Sequence, residues 1–102
     1  MENDIINLVW SKGQIVSGYD HKLYRKDFAG AWMKYTDYGN TDSILGWEVD
    51  HIIPLARGGS DYIDNLRPVQ WCNNREKGDN YPRYDTTITS KGNTNVGCIQ
   101  HW

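Results

Sequence analysis

Prolines and glycines divide the stretch from 47 to 78 into short pieces, and this limits the folds open to it. The run Trp47–Ile53 is rich in β-forming residues and predicts a strand. Pro54 closes that strand, because proline cannot donate a hydrogen bond to a sheet ladder. Gly58 and Gly59 follow, and they predict a loop after the strand.

A second strand and a helix complete this stretch. Leu66–Val69 predicts a short strand, which Pro68 confines to a sheet edge. Gln70–Lys77 favours a helix, and Gly78 stands where a glycine commonly ends one. The fold class expected is therefore α+β, with residues 47–78 as the core unit of strand, loop, strand and helix.

The flanking segments predict one more helix and further short strands. Residues 3–10 favour a helix, with Asn3 or Asp4 as its N-cap. Near the other end, Thr86–Thr89 and Val96–Gln100 predict two strands of a hairpin joined by a Gly-Asn turn. A chain of 102 residues has room for one core, so residues 1–102 are expected to form a single domain.

The composition indicates a folded, turn-rich chain with a small core. Five Trp, seven Tyr and ten Gly accompany an apolar fraction of 38% and a mean hydropathy of −0.75. Each aromatic ring can bury about 150–250 Å² of surface. Aromatic side chains are therefore expected to supply much of the core.

Charge, apolar runs and cysteines restrict the classes of protein further. The formal net charge of −2 and pI near 5.8 weigh modestly against a nucleic-acid partner, although a bound divalent ion would add positive charge locally. No apolar run approaches the roughly 20 residues that span a bilayer, and the N-terminus lacks a basic signal region, so a cytoplasmic protein is expected. Cys72 and Cys98 fit two partly buried thiols, with a disulfide between them left open.

Six polar residues within the core unit have side chains suited to catalysis. Ionised Asp50 and the Asn74 carbonyl are hard oxygen donors for Mg²⁺ or Mn²⁺. A neutral histidine such as His51 can take a proton from water near pH 7. Taken singly, each of them, like Asn65, Asn73 and Lys77, is better explained as a turn, cap or surface residue.

The order of these residues resembles a known motif. The matching positions are Val49-Asp50-His51-Ile52-Ile53-Pro54, Gly58-Gly59-Ser60-Asp61, Asn65-Leu66 and Cys72-Asn73-Asn74-Arg75-Glu76-Lys77-Gly78. They closely resemble the HNH endonuclease motif, with His51, Asn65 and Asn74 at its three named positions. The spacings, from 51 to 65 and from 65 to 74, are similar to those of the HNH domain of CRISPR effectors, which also has Asn at the third position.

The resemblance implies a ββα-metal (His-Me finger) fold around one divalent ion. It implies that Asp50 and Asn74 hold the ion and that His51 is the general base. Asn65 would fix either the loop or the His51 imidazole through a hydrogen bond. The implied reaction is hydrolysis of DNA phosphodiester bonds, with the ion stabilising charge on the phosphate and on the leaving oxygen.

The chain departs from many relatives at two points. Many relatives have His at the third position, where this chain has Asn74. Many also have Cys pairs that build a structural zinc site, and of those cysteines this chain keeps only Cys72. Asparagine is a weak ligand for borderline metals, so the site favours Mg²⁺ or Mn²⁺ over Zn²⁺ or Ni²⁺. The aromatic-rich N-terminal half is expected to replace the zinc site as a source of stability.

The strand pattern adds a geometric condition. Asp50 and His51 are neighbours, and neighbouring side chains in a regular strand point to opposite faces. We therefore expect a bulge or bend near Pro54 that lets both residues reach one site.

Basic residues near the motif are the expected contacts to DNA. They are Arg57, Arg67, Arg75 and Lys77. Each could bind the phosphate backbone, which fixes register without reading sequence. The expected partner is DNA rather than a membrane, and a homodimer or a larger nuclease assembly is left open.

Two other functions fit the same residues less well. One is a catalytically inactive DNA-binding ββα module, against which the intact Asp50, His51 and Asn65 argue. The other is a structural zinc protein with four candidate ligands. These are Cys72, Cys98, His21 and His101, and their spacing fits no recognised zinc pattern.

Overall fold

The computed structural model describes residues 2–97 of the chain, which form two α-helices and six short strands. The helices are α1 (Asn3–Trp10) and α2 (Trp71–Lys77). The strands are β1 (Tyr24–Lys26), β2 (Trp32–Lys34), β3 (Trp47–His51), β4 (Leu66–Gln70), β5 (Thr89–Lys91) and β6 (Thr94–Val96). They pair as three antiparallel two-stranded sheets, β1 with β2, β3 with β4, and β5 with β6. The mixed α and β character expected from the sequence is confirmed.

The β3–β4 pair and α2 reproduce the predicted unit with small shifts of boundary. β3 ends at His51, two residues before its predicted end, and β4 extends one residue further to Gln70. The Gln70 side chain then accepts hydrogen bonds from the backbone N–H groups of Cys72, at 2.8 Å, and Asn73, at 3.1 Å. This N-cap begins the helix at Trp71.

Glycine ends α2 as predicted. The backbone N–H of Gly78 donates to the Asn74 carbonyl at 3.1 Å, and its φ of 54° lies where a β-carbon would be strained.

The N-terminal helix is confirmed, but its predicted cap is wrong. Glu2 is the N-cap residue and its side chain makes no capping hydrogen bond, while Asn3 and Asp4 lie inside the first turn. Burial of one face against the β3–β4 sheet stabilises this short helix instead, since helices of this length are marginal alone. Neither helix described in residues 2–97 has the length and apolar character needed to cross a bilayer.

The C-terminal hairpin forms around the predicted turn with a different register. Lys91 pairs with Thr94, so the two strands adjoin the turn directly. Thr89, the last residue of the predicted strand Thr86–Thr89, is the first residue of β5. The preceding segment packs on α2 instead, where Glu76 accepts hydrogen bonds from the Thr87 backbone N–H, at 2.8 Å, and hydroxyl. Of the predicted strand Val96–Gln100, residues 98–100 lie outside the described part of the chain.

Aromatic rings form the larger core, as the composition indicated. Trp47 and Trp10 are almost fully buried, with ring centroids 5.1 Å apart, and Tyr35 meets Trp10 edge-on at 5.5 Å. Met33 and Leu66 complete the cluster. Buried aromatic rings of this size contribute much of the stability of a core. This cluster therefore packs α1 against one face of the β3–β4 sheet.

A buried carboxylate joins α2 to the rest of the fold on the other side. Asp27, 1% exposed, accepts hydrogen bonds from the backbone N–H groups of Ala31, at 2.9 Å, and Gln70, at 3.1 Å. It also accepts one from the Asn73 side chain at 3.1 Å, and Asn73 in turn donates to the Ile88 carbonyl at 2.8 Å. Burial raises the pKa of the Asp27 carboxyl, and its hydrogen bonds oppose part of that rise. These bonds fix the start of α2.

Cys72 belongs to a second small cluster with Ala31, Trp71 and Ile88, and burial raises its pKa to about 11. A thiol reacts with alkylating agents as the thiolate, so we expect native Cys72 to react with iodoacetamide about a hundredfold more slowly at about pH 8 than in urea. Trypsin places Cys72 and Cys98 in separate peptides, which lets mass spectrometry follow Cys72 alone. Equal rates in buffer and in urea would contradict the buried placement.

Candidate active site

A cleft of about 400 Å³ lies between the end of β3, the turn after it and the second half of α2. The described residues that line it are Glu48, Val49, Asp50, His51, Pro54, Leu55, Ala56, Asn74, Arg75, Gly78 and Asp79. Four of the polar residues singled out in the sequence, Asp50, His51, Asn74 and Arg75, therefore border one cavity.

Asp50 is a buried carboxylate held by two cations. Its side chain is 4% exposed, and its two oxygens lie 2.8 Å from Arg67 Nε and 3.1 Å from Lys77 Nζ. β4 supplies Arg67 from the position that pairs with Asp50, and the last turn of α2 supplies Lys77. The three groups together carry a formal charge of +1.

Aromatic rings enclose both cations. The Arg67 guanidinium lies 3.7 Å from the Phe28 ring centroid and donates to the Tyr84 hydroxyl at 2.6 Å. The Lys77 ammonium, 1% exposed, lies 5.2 Å from the Tyr84 ring centroid and donates to the His51 carbonyl at 3.0 Å. Lys77 is buried and Arg67 is largely buried, so this placement favours a counter-ion role for both.

His51 stands at the end of β3 with its imidazole partly exposed. Its Nε2 atom lies 2.7 Å from Asp61 Oδ1, in the loop that joins β3 to β4. Within residues 2–97, no protein group forms a hydrogen bond with Nδ1. The loop carboxylate thus holds one ring nitrogen and leaves the other available for proton transfer.

β3 contains no bulge among its described residues, but the chain bends at Ile52 and Ile53, so the bend expected near Pro54 is present. Asp50 pairs with Arg67 and His51 with Leu66 in regular register. Both residues line the cleft, and His51 is the last residue of β3 before this bend. The two side chains have separate partners, since Asp50 pairs with Arg67 and Lys77 whereas His51 pairs with Asp61.

Asn65 fastens the loop rather than the imidazole. Its Nδ2 donates to the carbonyls of Ser60, at 2.7 Å, and Ile53, at 3.0 Å, and its Oδ1 accepts from the Ile53 backbone N–H at 2.9 Å. The resemblance implies that Asn65 fixes either the loop or the His51 imidazole, and the hydrogen bonds of Asn65 fix the loop. The loop that carries Asp61 is held in place by this side chain.

Asn74 faces the cleft from α2 and is bonded to Glu48 on β3. Its Nδ2 donates to Glu48 Oε1 at 3.1 Å, and Arg75 donates to Glu48 Oε2 at 3.1 Å. The hydrogen bond to Glu48 raises the pKa of the Arg75 guanidinium. Sequence reasoning overlooked Glu48, although its position two residues before Asp50 places both on the same strand face.

The remaining basic residues lie at the surface. Arg75 keeps most of its side chain exposed, and Arg57 is exposed and donates to the Asp79 carbonyl at 2.6 Å. Both therefore remain accessible to a phosphate backbone.

The oxygen donors at the cleft are of the kind that a hard divalent ion prefers. Asp50 offers two carboxylate oxygens, each of which keeps a lone pair beyond its bond to a cation, and Asn74 offers its Oδ1. Oxygen donors of this class are those that Mg²⁺ or Mn²⁺ prefers, and both Asp50 oxygens already pair with a cation. Across residues 2–97, no three His, Cys, Asp or Glu side chains form a metal-binding group, and Cys98 and His101 of the zinc alternative lie outside that range.

A comparison with protein families identifies the segment that carries the cleft. The family model described as HNH endonuclease matches residues 37–79. β3, β4, α2 and all of the described residues that line the cleft lie within this segment. No curated protein and no solved structure gives a significant match to the chain.

Proposed function

We propose, on the premise that residues 37–79 belong to the HNH endonuclease family, that this chain is a metal-dependent endonuclease that hydrolyses DNA phosphodiester bonds. The observation that carries the proposal is the arrangement at the end of β3. There His51 presents one ring nitrogen without a protein partner among the described residues, beside the oxygen donors of Asp50 and Asn74. A base and a place for a hard cation at one cleft are what phosphodiester hydrolysis requires.

In this mechanism His51 is the general base. With Nε2–H donated to Asp61, the neutral imidazole carries its lone pair on Nδ1, which accepts a proton from the attacking water. The Asp61 carboxylate orients the ring and stabilises the imidazolium that forms. Asn65 contributes indirectly, because it holds the loop on which Asp61 lies.

Asp50 and Asn74 would hold the divalent ion, and the β3, β4 and α2 elements would then correspond to the ββα-metal motif. When bound, Mg²⁺ or Mn²⁺ supplies stabilisation of the charge that develops on the phosphate and leaving oxygens. Arg67 and Lys77 hold the Asp50 side chain in one orientation, so that it is ordered before any ion binds. Arg57 and Arg75, at the surface, are the proposed contacts to the DNA backbone.

A catalytically inactive DNA-binding module is the second candidate. The observation that favours it is the double pairing of Asp50, since buried Lys77 and largely buried Arg67 already balance that carboxylate. In this case the cluster stabilises the fold, and Arg57 and Arg75 bind DNA without turnover.

Plasmid cleavage separates the two candidates. Purified protein is incubated with supercoiled, linear and single-stranded DNA in Mg²⁺, Mn²⁺, Zn²⁺ or EDTA. The endonuclease predicts nicked or linear plasmid with Mg²⁺ or Mn²⁺ and loss of cleavage in EDTA. DNA binding in a gel-shift assay without cleavage under any ion would support the inactive module and overturn the proposed function.

A further inference from the structure

We propose that Glu48 is a positioning residue that determines which end of the Asn74 amide faces the cleft. The inference rests on the proposed function, because it takes Asn74 as a ligand of the divalent ion. Glu48 Oε1 accepts a hydrogen bond from Asn74 Nδ2 at 3.1 Å, across the space between β3 and α2. Both residues line the cleft.

The chemistry of the two groups fixes the orientation. An ionised carboxylate only accepts hydrogen bonds, whereas an amide has a donor end and an acceptor end. The end of Asn74 that meets Glu48 must therefore be the NH₂ group, because a flipped amide would place two acceptors against each other. This leaves Asn74 Oδ1, the end able to bind a cation, without a hydrogen-bond partner in residues 2–97.

Glu48 is itself held in place. β3 fixes its backbone, and Arg75 donates to its second oxygen at 3.1 Å. Arg75 is the neighbour of Asn74 on α2, so the carboxylate bonds two consecutive helix residues at once. Glu48 keeps part of its side chain exposed, and partly exposed pairs of this kind add little to stability. Orientation of Asn74 is therefore a better account of Glu48 than a contribution to the fold.

The test measures binding of Mn²⁺ alone to the full chain by isothermal titration calorimetry. Glu48→Gln removes the acceptor-only partner, because a glutamine amide can meet Asn74 with either end. We expect the Kd for Mn²⁺ to rise about tenfold, the lower range for groups that orient a metal ligand. Glu76→Gln is the matched control, since it makes the same change of charge on α2 away from Asn74, and its Kd should equal that of wild type.

The decisive comparison repeats Glu48→Gln in an Asn74→Asp background. An aspartate presents oxygen at both ends, so it needs no orientation, and Glu48 then faces it as a like charge. In that background Glu48→Gln supplies an NH₂ donor, and the Kd should stay the same or fall. A weakening by the same factor in both backgrounds would indicate a simple charge effect and would overturn the proposal, as would no weakening in the wild-type background.

Asn74→Ala distinguishes failure of this inference from failure of the proposed function. Loss of Mn²⁺ affinity in Asn74→Ala, with no effect of Glu48→Gln, overturns the positioning role alone. An unchanged affinity in Asn74→Ala, or no Mn²⁺ binding by the wild type, overturns the proposed ion site and this inference together. Urea unfolding of every variant identifies any that owe a change in affinity to a loss of structure.

Discussion

His51→Ala is expected to slow plasmid cleavage by about 10²–10⁴-fold, the range that a positioned general base contributes. The imidazole has one ring nitrogen without a protein partner in residues 2–97, while Asp61 holds the other. Its side chain is partly exposed and its partner Asp61 is at the surface, so the free energy of unfolding should change by less than about 0.5 kcal/mol.

The measurement is initial rate of nicking in Mg²⁺ at saturating DNA, together with urea unfolding of the same preparation. His21→Ala is the matched control, because His21 is an exposed histidine that does not line the cleft. Its rate should equal that of wild type. If His51→Ala cuts as fast as His21→Ala, the assignment of the base is wrong.

Lys77→Met is expected to lower the free energy of unfolding by about 3 kcal/mol, at the lower end of the cost of breaking a buried ion pair. The substitution leaves the buried Asp50 carboxylate with Arg67 as its remaining cation and removes a donor from the His51 carbonyl. Methionine fills a similar volume, so the loss reports charge and hydrogen bonding more than packing.

Urea denaturation of Lys77→Met measures this loss, with Lys22→Met as the control at an exposed lysine. The control should stay within about 0.5 kcal/mol of wild type. Asp50→Asn and Lys77→Met should also be coupled, with the double variant less destabilised than the sum of the two single variants. A loss below about 1 kcal/mol in Lys77→Met, or simple additivity, would contradict the ion pair as a major source of stability.

The sequence predicted the elements between 47 and 78 because their signals are local. Pro54 and Gly78 act on the backbone at their own positions, and the β-forming run before Pro54 needs no distant partner. The observed boundaries of the elements differ from the predicted ones where a side chain forms hydrogen bonds with the backbone. Gln70 was expected inside the helix and instead caps it, since its amide oxygen accepts from the first turn.

Local sequence patterns could not predict which residues contact the side chains of the candidate site. Arg67 meets Phe28 and Tyr84, which come from segments on either side of the matched region, and no spacing rule predicts such contacts. The sequence therefore predicts contacts to DNA for all four basic residues near the motif, whereas the structure pairs two of them, Arg67 and Lys77, with Asp50. Asp61 is ten residues from His51 in the chain, and the fold of the intervening loop brings them together.

The hydrogen bonds of Asp27 limit how far the segment that matches the family model can be separated from its surroundings. Residues 37–79 match the family, yet the start of α2 depends on Asp27 before that segment and Ile88 after it. Excised alone, the segment would expose the backbone N–H of Gln70 and the amide of Asn73 without these partners. The segment is thus not a transferable module, and a graft into another protein would have to include the β1–β2 hairpin, whose loop contains Asp27, and the stretch around Ile88.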